Sequence, residues 1–443
     1  MINYTRHMKY FCVGIKGSGM AALACILSDL GHEVSGYDDH REPKYTEEGL
    51  IKRGIKIYYD QNHTLDKDTI VTYSVAFSKD HKEMVKLRED GLTIKSYAEI
   101  MKELTKSFRT IGISGTHGKT STTHITRKLL SDKGCNYFVG DGEGYAAKGN
   151  EILVMESDEF NKHFINYYPE LAIILNIELD HLECYPGGME ELKEAFRTFG
   201  NNSRFILANG DNPNVTAIKF DKPVKYLGYN DNNDIIIKNV HNDSEYTYFE
   251  LYEDNKLISD FKIPLFGRHM MLDASFAIYA SLMFGEDLEH IKKELLQDMS
   301  AKRRFAISYA GSNVMIDDYA HHPTEIKVTI EAARSRFPGK KVIAIFLPNT
   351  YSRTKALLND FVTSLSTADK TYVMDIMCNR EKAEDYGNIT SDDLIKLIDG
   401  AEKISVETVS KLKEYHDSVL LFMSCTSIEF IEDAYKEMID GRN

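Results

Sequence analysis

Ile111-Gly112-Ile113-Ser114-Gly115-Thr116-His117-Gly118-Lys119-Thr120 is the stretch that decides how this chain folds. Thr110–Ser114 reads as a strand and Thr120–Leu130 as a helix, so the glycines lie in a strand-to-helix turn. Amide N–H groups of such a turn cradle phosphates, a lysine neutralises the terminal phosphates, and a threonine hydroxyl can hold Mg²⁺. The stretch departs from the general G-x-x-x-x-G-K-S/T pattern, because Ile113 stands where the first glycine would be. The alternative is a chance GKT in a loop; the strand before it and the helix after it favour a phosphate site.

A metal-bound nucleotide calls for acidic or imidazole ligands at neighbouring strand ends. Ile152–Met155 leads into Glu156-Ser157-Asp158-Glu159, and Leu171–Leu175 into Asn176-Ile177-Glu178-Leu179-Asp180-His181. Each carboxylate alone could be a helix cap or a solvated turn, and that reading stands for Asp158 and Glu178. Glu156 and His181 are the favoured ligands, since they follow strands expected to flank the phosphate loop.

Upstream, strand-like segments lie near Tyr10–Val13, Glu33–Gly36, Ile55–Tyr58, Ile70–Tyr73 and Thr93–Lys95. The first of these runs into Gly14-Ile15-Lys16-Gly17-Ser18-Gly19 and the helical Met20–Leu30, with Asp38 after the second strand. This G-x-x-G-x-G order is not the dinucleotide fingerprint G-x-G-x-x-G. It reads either as a second phosphate turn, with Asp38 placed for a ribose hydroxyl, or as a turn that only packs helix on strand.

Downstream, Phe205–Ala208 and the helix Met189–Phe199 continue the alternation, after which the period changes. Asp234–Val240, Glu245–Tyr252 and Lys256–Ile263 alternate polar and apolar residues around turns rich in Asn and Asp, the pattern of an antiparallel meander. A further α/β unit begins after Arg303-Arg304-Phe305. Its strands lie near Val314–Asp317, Val342–Phe346, Lys370–Asp375 and Val419–Met423, with helices over Thr324–Arg336 and Thr354–Thr367. The fold class is therefore α/β with three domains. The expected bounds are 1–106, Rossmann-like; 107–305, a P-loop ATPase-like parallel sheet with the meander appended; and 306–443, Rossmann-like again. The 443 residues agree, at roughly 150 residues per domain.

A net charge of −14 argues against nucleic acid or anionic membrane as a partner, because both need a broad positive surface. The longest apolar runs are too short to span a bilayer, and the N-terminus has no signal-peptide core. Six scattered cysteines without a CxxC pair suit reduced thiols in a cytoplasmic protein.

GTHGKT at 115–120, ESDE at 156–159, N-x-E-x-DH at 176–181, KRRF at 302–305, DDYAHHPTE at 317–325 and YSRT at 351–354 together resemble the Mur ligases. GIKGSGM at 14–20 and FGRH at 266–269 extend the likeness over essentially the whole chain. DDYAHHPTE with YSRT points to the branch that joins L-alanine to UDP-N-acetylmuramate, which also contains the ligase that recycles muropeptides. The resemblance implies ATP and Mg²⁺ as cofactors, those two small molecules as substrates, an acyl-phosphate intermediate, and a monomer or homodimer. It also implies a role in peptidoglycan synthesis, and through it in cell shape and division.

Residue by residue, the resemblance implies ATP contacts from Gly115, Thr116, His117, Gly118, Lys119, Thr120 and Thr122, with Arg304 and Asp318 contributing from beyond the domain boundary. Thr120, Glu156 and His181 would hold metal. Gly14, Ser18 and Gly19 would take the UDP diphosphate, with Asp38 and Ser74 beside the sugar nucleotide. His321, His322 and Arg353 would face the substrates, and Lys119, Glu156, His181, His322 and Arg353 form the implied catalytic set. A scaffold role suits one of the paired histidines.

The chain departs from the family at several points. The N-x-x-N expected after FGRH, whose amides recognise adenine, has Met270 and Asp273 at its two asparagine positions. Leu347-Pro348-Asn349 replaces Q-P-H, Ser424-Cys425-Thr426-Ser427-Ile428 replaces a glycine-rich loop, and Asn379-Arg380-Glu381 replaces a small-residue segment. Alternatives are therefore a muropeptide-recycling ligase, a paralogue using another amino acid, or a non-catalytic nucleotide-binding regulator. A nicotinamide-dependent oxidoreductase is suggested by the first glycine turn alone, and leaves Lys119, Thr120, Glu156 and His181 unexplained.

Overall fold

The computed structural model describes residues 7–179, 184–243, 245–297, 303–378 and 381–441. Their strands form three sheets. The first contains β1 (Lys9–Val13), β2 (Glu33–Tyr37), β3 (Lys56–Tyr58), β4 (Ile70–Tyr73) and β5 (Thr93–Ser96), in the order β3-β2-β1-β4-β5 and parallel throughout. The chain reverses direction across the sheet between β1 and β4. Ligands of open parallel sheets bind at such switch points, and the Gly14 turn leaves β1 there.

The helix after that turn, Ser18–Asp29, carries Met20-Ala-Ala-Leu-Ala-Cys-Ile-Leu27, all of it buried. A helix apolar on every side needs cover on every side. The first sheet covers one face and β8 (Gly144–Tyr145), from the second sheet, covers another. The alanines allow this approach. A Cβ at Gly144 would lie 2.0 Å from the Ala22 carbonyl oxygen, so only glycine fits.

The second sheet contains β6 (Arg109–Ser114), β7 (Cys135–Phe138), β8, β9 (Ile152–Glu156), β10 (Leu171–Ile174), β11 (Phe205–Asn209), β12 (Val224–Gly228), β13 (Ile235–Asn242), β14 (Thr247–Glu253) and β15 (Lys256–Ile263). Its order is β15-β14-β13-β12-β11-β10-β6-β9-β7-β8. The strands from β13 to β7 in that order are parallel, and β8 runs antiparallel to β7. Central β10 is apolar and buried at every position, as a strand covered on both faces must be. The expected meander is β13–β15. Asp254 and Asn255, with φ of 49° and 60°, make the two-residue turn between β14 and β15, a conformation that matches the twist of a hairpin.

The third sheet contains β16 (Ala306–Ala310), β17 (Asn313–Asp318), β18 (Val342–Phe346), β19 (Lys370–Val373), β20 (Glu402–Lys403) and β21 (Val419–Met423), in the order β16-β17-β21-β18-β19-β20. All neighbours pair in parallel except β16 with β17. The chain clusters into two compact units. One is Met1–Val240 with Phe249–Lys262 and Leu272–Met299; the other holds the remainder, including the third sheet.

The expected helix Thr354–Thr367 is in fact two, Tyr351–Ala356 and Leu358–Leu365, broken at Leu357. The break turns both Leu357 and Leu358 against the core beneath. Short strands β7, β8, β12, β16 and β20 lack a strong apolar run and escape the sequence reading. All six cysteines are free. Among the described residues no helix is long and apolar enough to cross a membrane.

Candidate active site

The phosphate loop leaves the C-terminal end of β6. Gly115 has φ +152° and Gly118 φ +84°, the latter capping the helix Lys119–Leu129. A Cβ at Gly115 would come within 2.9 Å of Leu175, and one at Gly118 within 2.7 Å of an Asp273 carboxylate oxygen. Both glycines therefore answer close approach as well as conformation.

The loop is braced by the segment after β10. The Thr116 N–H donates to the Asn176 carbonyl (3.1 Å), and the Thr116 hydroxyl links the Glu178 carbonyl (3.1 Å) and N–H (2.9 Å). The His117 N–H donates to Asn176 Oδ1 at 2.8 Å, while Asn176 Nδ2 donates to the His117 carbonyl at 3.0 Å. His117 Nε2 lies 3.3 Å from Glu178. Asn176 thus belongs to the site although no role was assigned to it from the sequence; its place in N-x-E-x-DH was the available signal.

Lys119 folds back on the loop. Its ammonium donates to the Gly115 carbonyl (2.6 Å), the Thr116 carbonyl (3.3 Å) and Glu159 Oε2 (2.8 Å), with Asp158 at 3.7 Å. Burial works against the charge, but Glu159, Asp158 and Glu156 outweigh it and hold the lysine pKa above its ordinary value. Burial pushes the Glu159 carboxyl up to about 7, against the pull of Lys119.

The Thr120 hydroxyl lies 3.1 and 3.2 Å from the two oxygens of Glu156, and the Gly140 N–H holds Oε2 at 2.9 Å. Burial raises the Glu156 pKa in spite of Lys119, so a divalent cation here would stabilise its charged form. Two hard oxygen donors with one carboxylate pinned by a backbone N–H suit Mg²⁺. His181 lies outside the described residues. Thr122 is wholly buried and its hydroxyl has no hydrogen-bond partner.

The first glycine turn is built in the same manner. Gly14, at φ +79°, donates its N–H to the Tyr37 carbonyl, and a Cβ there would meet Ser74 Cβ at 2.9 Å. The Ser74 N–H in turn donates to the Val13 carbonyl. Ser18 and Gly19 open the helix, with Gly19 against the Tyr97 hydroxyl. Asp38 is buried, and its carboxylate accepts the N–H groups of Lys16 (3.1 Å) and His40 (3.2 Å), which fixes the turn. Lys16 is a further residue the sequence reading passed over. Its buried ammonium pairs with Glu47 at 2.6 Å and donates to the His40 and Glu42 carbonyls. The loop 139–143 reaches toward both turns: Gly140 holds Glu156, the partner of Thr120, and Gly142 lies against Thr46 and Ser18.

In the other unit, Asp318 accepts the N–H groups of Phe305 and Ala320 at 2.8 Å, and burial lifts its pKa to about 6 against the pull of Arg304. The Arg304 guanidinium lies over the Tyr319 ring at 4.5 Å. His322 caps the helix Pro323–Arg336 by accepting the Thr324 N–H, and Glu325 closes the box by accepting the N–H groups of both histidines. Both histidines thus have local partners, and His321 Nδ1 also sits 3.1 Å from Glu325. Arg353 lies in the short helix Tyr351–Ala356, where its charge works against the burial that pushes the Cys425 thiol up to about 11. Ser424 ties its loop down by donating to the Leu347 carbonyl. Asn349 donates to the Met377 carbonyl, while Asn379 and Arg380 lie outside the described residues.

Residues 9–109 match the Mur ligase family, catalytic domain; residues 143–281 match the Mur ligase middle domain; and residues 303–425 match the Mur ligase, glutamate ligase domain. A UDP-N-acetylmuramate–L-alanine ligase of Lactiplantibacillus plantarum is 38% identical over 97% of this chain and 98% of its own length. One of Limosilactobacillus reuteri is 39% identical over 97% and 99%. The solved UDP-N-acetylmuramate-alanine ligase of Thermotoga maritima shares the fold, with a TM-score of 0.78 and 24% identity over 99% of this chain and all of that one. Sequence identity over the full length, with three domain matches in order, shows that this chain belongs to the Mur ligase family.

Proposed function

We propose that this chain is the ATP-dependent ligase that joins L-alanine to the lactyl carboxylate of UDP-N-acetylmuramate, acting in the cytoplasm in peptidoglycan precursor synthesis. The observation that carries the reading is the cluster of Lys119, Thr120 and Glu156 at the end of β6 and β9, in a chain whose full-length relatives carry that name.

In this reading the Gly115–Thr120 amides and the Lys119 ammonium receive the ATP phosphates, and Gly14, Ser18 and Gly19 receive the diphosphate of the sugar nucleotide. Thr120 and Glu156, with His181, would hold Mg²⁺, which would supply positive charge to the transferring phosphoryl group. The lactyl carboxylate is a poor electrophile. Its attack on the γ-phosphorus of ATP makes an acyl phosphate and releases ADP. The alanine amine then adds to the acyl carbon, and the tetrahedral adduct expels phosphate while the nitrogen loses a proton. Both steps gather negative charge, so Lys119 and the loop amides act by position and electrostatics rather than by covalent chemistry.

The test is phosphate release from ATP and UDP-N-acetylmuramate with L-alanine, glycine, L-serine or a tripeptide as acceptor. L-Alanine is expected to support the fastest turnover. Preference for the tripeptide would move the assignment to muropeptide recycling, and no turnover with any acceptor would defeat it.

A further inference from the structure

Glu159 has no role in the reaction as written, yet it is almost fully buried: 4% of its side chain is exposed. Its carboxylate meets the Lys119 ammonium at 2.8 Å, and its own carbonyl is fixed by the buried Tyr185 hydroxyl at 2.6 Å. An ammonium has three N–H bonds to give. Lys119 gives all three, two to the Gly115 and Thr116 carbonyls of its own loop and one to Glu159 beyond β9. To meet a phosphate, the lysine must give up at least one of these partners. Glu159 is the partner whose release is costly, because an ionised carboxylate left buried without its cation is strongly destabilised.

We propose that Glu159 is a positioning residue that holds Lys119 in a buried ion pair, so that phosphate binding competes with that pair. The proposal rests on the reading of Gly115–Thr120 as the ATP site. The pair neutralises an ammonium that would otherwise sit buried beside the positive end of a helix. When ATP enters, the phosphates replace Glu159 as the counter-charge. When ADP forms, Glu159 reclaims the lysine and weakens the hold on product. The residue therefore lowers nucleotide affinity in exchange for release.

The experiment is calorimetric titration of MgADP into the wild type, Glu159→Gln, Lys119→Ala and the double variant, with KM values for ATP, UDP-N-acetylmuramate and L-alanine. Glu159→Gln is expected to bind MgADP about fivefold more tightly, since the buried pair no longer has to be broken. Its KM for ATP falls while the other two KM values stay. In the Lys119→Ala background the same substitution changes affinity little. Glu159→Asp, which keeps the charge but withdraws it by one methylene, shifts affinity in the same direction by less, and serves if the glutamine variant does not fold. Unchanged or weaker MgADP binding by both variants overturns the proposal. So does an equal gain without Lys119, which would mean that Glu159 merely repels phosphate. A wild type that binds no MgADP defeats the ATP-site reading as well; one that binds it normally isolates the failure to Glu159.

Discussion

Asn176 and His117 hold each other by two opposed hydrogen bonds, the His117 N–H to Oδ1 at 2.8 Å and Nδ2 to the His117 carbonyl at 3.0 Å. The side-chain amide thereby stands in for a strand partner and fixes the loop where it crosses from β6 to the helix. Asn176→Ala removes both bonds, a loss of about 2 kcal/mol at roughly 1 kcal/mol each. Asn176→Asp is expected to be worse, because it turns a carboxylate oxygen toward the His117 carbonyl. Thermal shifts with and without MgADP check the order: wild type, then alanine, then aspartate.

Gly118 carries both a left-handed backbone and a neighbour too near for a side chain, the Asp273 carboxylate. Gly118→Ala is expected to cost more than about 1 kcal/mol of stability and to abolish nucleotide-dependent stabilisation. Denaturant unfolding gives the first quantity and an ADP titration the second. A variant that binds ADP normally would show that the loop relaxes around the new methyl.

Lys119→Ala is expected to abolish phosphate release while leaving UDP-N-acetylmuramate binding largely intact, since the Gly14 turn, proposed for the sugar nucleotide, is built separately from β1 and β4. Parallel turnover and calorimetric measurements separate the two. Lost sugar binding with normal turnover would reverse the assignment of the two glycine turns.

Glu432, in the helix Glu429–Ile439, is buried, and one of its oxygens has no hydrogen-bond partner. Burial, reinforced by Asp317, pushes its pKa up to about 7, against the pull of Lys436 and Arg303. The folded chain therefore keeps a proton there that the unfolded chain gives up near pH 4.5, and this contribution to stability is lost as pH rises from there to about 7. Glu432→Gln removes the loss, so its stability relative to the wild type should grow between pH 5 and 8, by about 3 kcal/mol at most. Melting at a series of pH values tests it; a constant difference between the two proteins contradicts it.

Much of this architecture is written in short-range pattern. β10 and β21 are continuous apolar runs, which only parallel strands covered on both faces require, and Gly118-Lys119-Thr120 marks its own turn. What escaped depends on partners distant in sequence. β8 is two residues long and lies where Gly144 passes close over Ala22. Asp38 is placed after β2, where a ribose ligand is expected, and its carboxylate also accepts the Lys16 and His40 N–H groups, which the sequence does not reveal. The Lys119–Glu159 pair is equally invisible, because it depends on where Glu159 falls after β9 closes on β6. His322 shows the opposite case: His-x-x-Glu is a capping pattern readable in advance, even though its motif drew attention to chemistry instead.

The crossing of Gly144 over Ala22 has one more consequence. Arg53 bonds both Asp29 and the Gly144 carbonyl, and Asp29 accepts the Ala146 N–H, so the crossing is stapled at one end of the helix. Removing the first α/β unit would strip β8 of its seat and leave the Gly144 carbonyl and the Ala146 N–H without their partners. The two glycine turns are thus inherited together: a hybrid enzyme made by exchanging the first α/β sheet with a relative's should fold only if the donor also brings its own counterpart of residues 139–146.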